Sequence, residues 1–164
     1  MTPELLTDAP TTVLAVYAHP DDPEISCGGA LARWSQEGAD VRLVVVNAGD
    51  KGSHDAATDP ADLTRRRAAE VDAAARVLGL AGVDLLGLPD GEVTNDLVLR
   101  ERLVGLLRAH RPDVVVCPDP TAVFFGDSYV NHRDHREVGW AVVDAVAPAA
   151  AGPLYFPQAG PPHQ

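Results

Sequence analysis

Short apolar, β-branched runs alternate along this chain with longer stretches of helical periodicity. Residues 13–17, 41–46 and 114–117 read as buried strands, almost unbroken in apolar character, and residues 83–86 as a weaker one. Helices are expected near 28–38, 61–79, 96–110 and 135–147. The second carries its own punctuation: Asp59 as N-cap, Pro60 at the first helical position, Asp62 in the first turn and Gly79 as the stop. The third ends before Arg111-Pro112, because proline disfavours helix in the residue before it. Buried strands separated by helices imply a mostly parallel sheet with helices on both faces, where right-handed crossovers put them. The fold class is therefore α/β. The pattern delimits a polar N-terminal extension over 1–12, one domain over 13–147 and a Pro/Gly-rich tail over 148–164. In that tail Leu154, Tyr155 and Phe156 are expected to anchor on the body, with the rest mobile.

Composition narrows the classes of function. A chain of 164 residues fits one domain, and 46% hydrophobic with 23% charged residues excludes disorder of the whole chain. Its 13 basic and 24 acidic side chains leave a formal charge of −11. That field repels phosphate backbones and anionic lipid, so nucleic-acid and membrane-surface partners are not expected. It suits a cation held among carboxylates. Two cysteines, Cys27 and Cys117, make no disulfide framework and read as small apolar packing in a reducing cytoplasm, with a pairing between them left open. The N-terminus has neither the basic nor the apolar region of a signal peptide, and no run reaches membrane-spanning length. A cytoplasmic location is expected.

Two polar clusters fall at strand ends, where ligands bind in an open α/β sheet. The first is Ala18-His19-Pro20-Asp21-Asp22-Pro23-Glu24. Pro20 has no N–H for a ladder, so the strand stops there. The following turn can aim Asp21 and Asp22 in different directions, one at a metal and its neighbour at the water beside it. Gly28-Gly29 comes next, where a missing Cβ is expected to let a helix lie close to the sheet. The second cluster is Asn131-His132-Arg133-Asp134-His135. Residues 132 and 135 share a face on a helical turn. Imidazole and carboxylate are the ligands of catalytic zinc, which takes three from protein and keeps one position open. Taken singly, Asp-rich turns are usually caps and such histidines usually lie on the surface. The coincidence of both clusters favours a metal.

His19-Pro-Asp-Asp22 with Glu24 and Gly28-Gly29, paired with His132-x-Asp-His135, resembles the LmbE-like / PIG-L family of metal-dependent N-deacetylases. The resemblance runs from about residue 13 to residue 147. It implies a Rossmann-like three-layer fold and hydrolysis of an N-acetyl group on glucosamine-containing compounds, with zinc as cofactor. Iron(II) suits the same ligands. Carried across, it makes His19, Asp22 and His135 the metal ligands and Asp21 the general base. It makes His132 the general acid or oxyanion partner, with Asp134 orienting a histidine by accepting its N–H. Arg67 and Glu70 match the family's Arg-x-x-Glu, which implies that Arg67 reaches the substrate pocket. The blander account is that Arg65, Arg66 and Arg67 form a solvated face. Asp90-Gly91 resembles a family position at the pocket rim, and also an ordinary turn.

Asn47-Ala-Gly-Asp-Lys-Gly52 is a pocket wall rather than a phosphate loop. His54 and His163 are expected to play no part, and His110 to face a helix dipole. Glu24 is expected to brace its loop by accepting backbone N–H groups. Trp34 is expected in the core, and Phe124, Phe125 and Tyr129 either line a cleft or simply pack. Two departures from the family stand out. Arg133 replaces its usual proline, and family members run on past residue 164. The second leaves three arrangements open: an open pocket, one completed by another subunit of a homo-oligomer, or an incomplete one. The leading expectation is a zinc-dependent enzyme acting on a small N-acetylated substrate. The alternatives are a catalytically silent or partner-completed metal-binding module, and a nucleotide binder built on Gly28-Gly29, which leaves the histidines unexplained.

Overall fold

β1 (Thr12–Tyr17) forms the middle of the molecule because every residue from Val13 to Tyr17 is apolar and buried. It pairs in parallel with β2 (Asp40–Asn47), from Thr12 opposite Asp40 to Tyr17 opposite Val45. On its other side it pairs in parallel with β4 (Val114–Val116). β3 (Gly82–Leu88) extends the sheet beyond β2, giving the order β3-β2-β1-β4. The computed structural model describes residues 8–164. The expected N-terminal extension falls largely on residues 1–7, outside the described residues.

Alternation along the strands builds two cores. Val13, Ala15 and Tyr17 pack with Leu31 of α2 (Gly28–Gln36) and Val71 of α3 (Pro60–Leu78). Leu14, Val16 and Ala18 pack on the opposite face. There they meet Leu99, Leu103 and Leu107 of α4 (Leu97–His110), and Val138, Ala141 and Val142 of α5 (Arg133–Asp144). Helices thus cover both faces. The crossovers run outward from β1 to β2 and β3, then return past β1 to β4. The loops leaving β1 and β4 therefore diverge, and their divergence opens a crevice at the carboxyl ends of both strands.

Local signals held where they were strongest. The Asp59 carboxylate accepts the N–H groups of Ala61 and Asp62 at the start of α3, and Gly79 closes it at φ 73°. Asp96 caps α4, which ends at His110 with Arg111 as its C-cap before Pro112. α5 starts earlier than expected, at Arg133, because His132 serves as its N-cap. A single-turn helix, α1 (Asp22–Ser26), and a hairpin of β5 (Phe124–Phe125) with β6 (Tyr129–Val130) were not anticipated. Both are too short to show a period. The space reserved for Gly28-Gly29 is a correction. A Cβ on Gly28 would meet only ordinary contacts and one on Gly29 none, so neither marks a close approach to the sheet.

The tail also differs from expectation. Leu154 is 92% exposed and Tyr155 half exposed, and only Phe156 of the three joins the core. The anchor is Arg108 of α4, just 2% exposed. Its guanidinium donates to the carbonyls of Ala149, Ala150, Gly152, Tyr155, Phe156 and Gly160 at 2.8–3.1 Å. An irregular segment has no ladder for its carbonyls, and a fork of five N–H donors supplies partners instead. His163 adds ties through its backbone N–H to Ala150 and its ring to Pro112. Among the described residues no helix is long and apolar enough to cross a membrane.

Candidate metal centre

The turn after β1 is tight: the N–H groups of Asp21 and Asp22 both donate to the carbonyl of His19, at 3.0 and 3.3 Å. Asp21 takes φ 155°, a conformation that side chains other than hydrogen rarely adopt. Successive carboxylates then point apart. Asp22 Oδ2 lies 3.2 Å from His19 Nδ1, while Asp21 Oδ2 turns away to accept from Arg67 at 2.7 Å. From the other side of the crevice, α5 brings His135 Nε2 to 3.1 Å from Asp22 Oδ1 and 3.0 Å from His19 Nδ1. Residues 116 positions apart in sequence meet here.

The three side chains suit a small divalent cation. Bonds of 2.0–2.1 Å in a tetrahedral site separate ligand atoms by about 3.3 Å, and the two ring nitrogens, each with one Asp22 oxygen beside it, are spaced close to this. The outer ring nitrogens are held by acceptors, as ligating histidines require. His135 Nδ1 is 2.8 Å from Asn131 Oδ1, and His19 Nε2 is 3.3 Å from Asp90 Oδ1 and 3.8 Å from Asp134 Oδ2. In the tautomers with both ring hydrogens outward, lone pairs from two rings and a carboxylate converge as a cation requires; a ring hydrogen turned inward instead bonds to Asp22. Burial opposes charge on His19, yet Asp22, Asp90 and Asp134 outweigh it and raise its pKa above the ordinary value. Burial likewise works to raise Asp22, but hydrogen bonds from His135 and His19 hold it well below the usual carboxylate range.

Of the other expected site residues, Arg67 reaches the centre, though through Asp21, with Glu70 at 3.6 Å; Arg65 pairs with Asp62 on the exposed face. Asp90 is not merely a turn, since its carboxylate faces His19. His132 stacks edge-on against His19, with ring centroids 4.6 Å apart. Its Nδ1 accepts the backbone N–H of Asp134, so the ring proton sits on Nε2. The fully buried carboxylate of Asp134 does not accept from His132. Its Oδ2 takes the Asn47 amide at 3.1 Å and the N–H of Gly91 at 2.8 Å, facing His19. Glu24 corrects another expectation: its Oε2 is buried without a partner.

Sequence placed Asn47 in a pocket wall and Gly91 at a pocket rim, but gave neither these nor Asn131 a hydrogen-bonding role. The available signals were an asparagine ending an apolar strand and another directly before the histidine motif. Beside the centre, a cleft of about 420 Å³ runs between α1 and the hairpin, lined by Tyr17, Ile25, Pro118, Phe125 and Tyr129, and reaching Asp22 and His135. Phe125 and Tyr129 are half exposed along it, and Trp34 packs against a core cluster. Both cysteines are free.

The family model described as PIG-L, GlcNAc-PI de-N-acetylase, matches residues 14–146. This chain belongs to the PIG-L family. It is 31% identical to a diacetylchitobiose deacetylase of Thermococcus kodakarensis, over 82% of this chain and 49% of that protein. It is 34% identical to a 1D-myo-inositol 2-acetamido-2-deoxy-alpha-D-glucopyranoside deacetylase of Saccharopolyspora erythraea, over 91% of this chain and 61% of that one. Among solved structures, the N,N'-diacetylchitobiose deacetylase of Pyrococcus horikoshii superimposes with a TM-score of 0.83 at 30% identity. That match covers 92% of this chain and 54% of the other. The chain thus spans about half to three fifths of the length of these relatives.

Proposed function

We propose that this chain is a metal-dependent N-deacetylase that removes an acetyl group from an acetamido sugar conjugate or a similar small molecule. The observation that carries the reading is the convergence of His19, Asp22 and His135 with Asp21 beside them. The family membership and the names of the relatives support the substrate class. In this reading those three residues hold the metal, zinc or iron(II). Bound there, a divalent cation supplies Lewis acidity and a water with a pKa near 7.

The protein's own groups do the rest. Asp21 takes the proton of the attacking water, with Arg67 at 2.7 Å fixing the direction of its carboxylate. The Nε2–H of His132 is free to donate to the carbonyl oxygen as charge develops, or to the amine as the C–N bond breaks. Asp134 and Asp90 hold His19 from behind, and Asn47 and Gly91 hold Asp134. The apolar cleft offers one wall to the substrate. Free cysteines support a reducing cytoplasm as its location.

The test is metal content by mass spectrometry on untagged protein, followed by acetate release from N-acetylated glucosamine conjugates. About one zinc or iron per chain, lost in His135→Ala, together with metal-dependent acetate release, is expected. Folded protein that takes up no metal, or metal-loaded protein that releases no acetate across such a panel, overturns the reading.

A further inference from the structure

Asn131 is 4% exposed and lies between the hairpin and α5. Its amide is held from one end: Nδ2 donates to the carbonyl of Ala122 at 2.7 Å, and the residue's backbone N–H donates to the carbonyl of Val123 at 2.9 Å. Reversing the amide would press its oxygen against the Ala122 carbonyl, so the orientation is determined by its neighbours. Only Oδ1 remains to face His135 Nδ1, at 2.8 Å. An amide oxygen accepts and never donates. Asn131 therefore favours the tautomer with the ring hydrogen on Nδ1 and the lone pair on Nε2, against the pull of the Asp22 carboxylate on a hydrogen at Nε2. That nitrogen is the one 3.1 Å from Asp22.

We propose that Asn131 is a positioning residue that sets the tautomer of His135 and so holds the Nε2 lone pair toward the metal. The proposal rests on the reading of His135 as a metal ligand. It also ties the centre to the cleft. The carbonyls that grip Asn131 belong to the strand leading into β5, and β5 carries Phe125 into the cleft wall. A side chain that merely filled space here would not select between ring nitrogens.

Two readouts test it on wild type, Asn131→Ala and Asn131→Asp. The first is the His135 tautomer in metal-free protein, from long-range ¹⁵N–¹H NMR above the histidine titration, assigned with His135→Gln. The second is zinc affinity by chelator competition. Wild type is expected to show the hydrogen on Nδ1. Asn131→Ala is expected to lose that preference and about 10–100-fold in zinc affinity, the usual worth of such an outer partner. Asn131→Asp keeps the acceptor toward His135 but sets its second oxygen against the Ala122 carbonyl, so it is expected to retain more of the Nδ1 tautomer and of the zinc affinity than the alanine variant. A wild-type His135 protonated on Nε2 overturns the proposal. So does an Asn131→Ala protein with unchanged tautomer and affinity, or a folded Asn131→Asp protein that behaves like the alanine variant. If wild type takes up no zinc, the functional reading falls, while the tautomer comparison still decides what Asn131 does.

Discussion

At the scale of single residues, adjacent aspartates have been given opposite environments by one turn. Asp22 is drawn inward by two imidazoles, whereas Asp21 is half exposed and held by Arg67. Their substitutions should therefore separate. Asp21→Ala is expected to keep its metal stoichiometry while kcat falls by about 10²–10⁴, the worth of a general base. Unchanged turnover in that variant would remove Asp21 from the chemistry. Cys117 offers a check on the cleft side. Burial, and then the charge of Asp119, raise its thiol pKa. Since the thiolate is the nucleophile, iodoacetamide at neutral pH should label Cys117 severalfold more slowly than it does in denatured protein. Because burial is the larger cause, Asp119→Asn should leave most of that protection in place; labelling at the denatured rate in either protein would contradict this.

At the scale of elements, the position of α5 decides whether the centre assembles. Gly139 lies one turn beyond His135, and a Cβ there would sit 2.5 Å from the carbonyl oxygen of Pro118 and 3.0 Å from the ring of Pro120. Backbone cannot move aside as a flexible side chain can. Gly139→Ala should therefore cost about 1–3 kcal/mol in urea denaturation and weaken zinc binding by displacing His135. Wild-type values for both would show that α5 has room to spare. α4 plays a different part, holding the tail through one guanidinium as well as through the apolar cluster that Ala149, Ala150 and Phe156 join. Arg108→Met takes a donor from six carbonyls, of which Ala150, Gly152 and Phe156 keep a backbone N–H. A loss of about 1–3 kcal/mol is expected, the cost of leaving a buried acceptor unsatisfied. Chymotrypsin should then cut faster after Leu154 or Tyr155; a rate equal to wild type would mean that Phe156 packing alone retains the tail.

At the scale of the whole molecule, the centre joins both ends of the chain's order, and its metal should therefore stabilise the fold as a unit. Zinc at about 100 times its dissociation constant adds about 2.7 kcal/mol if it binds only the folded state. For a chain of this size that is a rise of about 5–10 °C in Tm, reversed by chelator and absent in His135→Ala. An unchanged melting curve on zinc addition would show that the three ligands do not act together. The strand and helix succession was legible in sequence because periodicity and capping are local, as Asp59, Pro60 and Gly79 around α3 demonstrate. The polar residues at the ends of β1 and before α5 were legible too, because motif spacing is linear. Other features were decided only by tertiary structure. It was the reversal of strand order at β1 that set His135 against Asp22, and long-range hydrogen bonds that turned Asp134 toward His19 rather than His132. Arg108 shows the same limit, since a buried arginine looks like any other in sequence until the carbonyls it satisfies have been folded around it. Local propensity acts between neighbours in the chain; a metal centre and a buried guanidinium depend on which distant groups are left without partners, and that is known only once the chain has closed on itself.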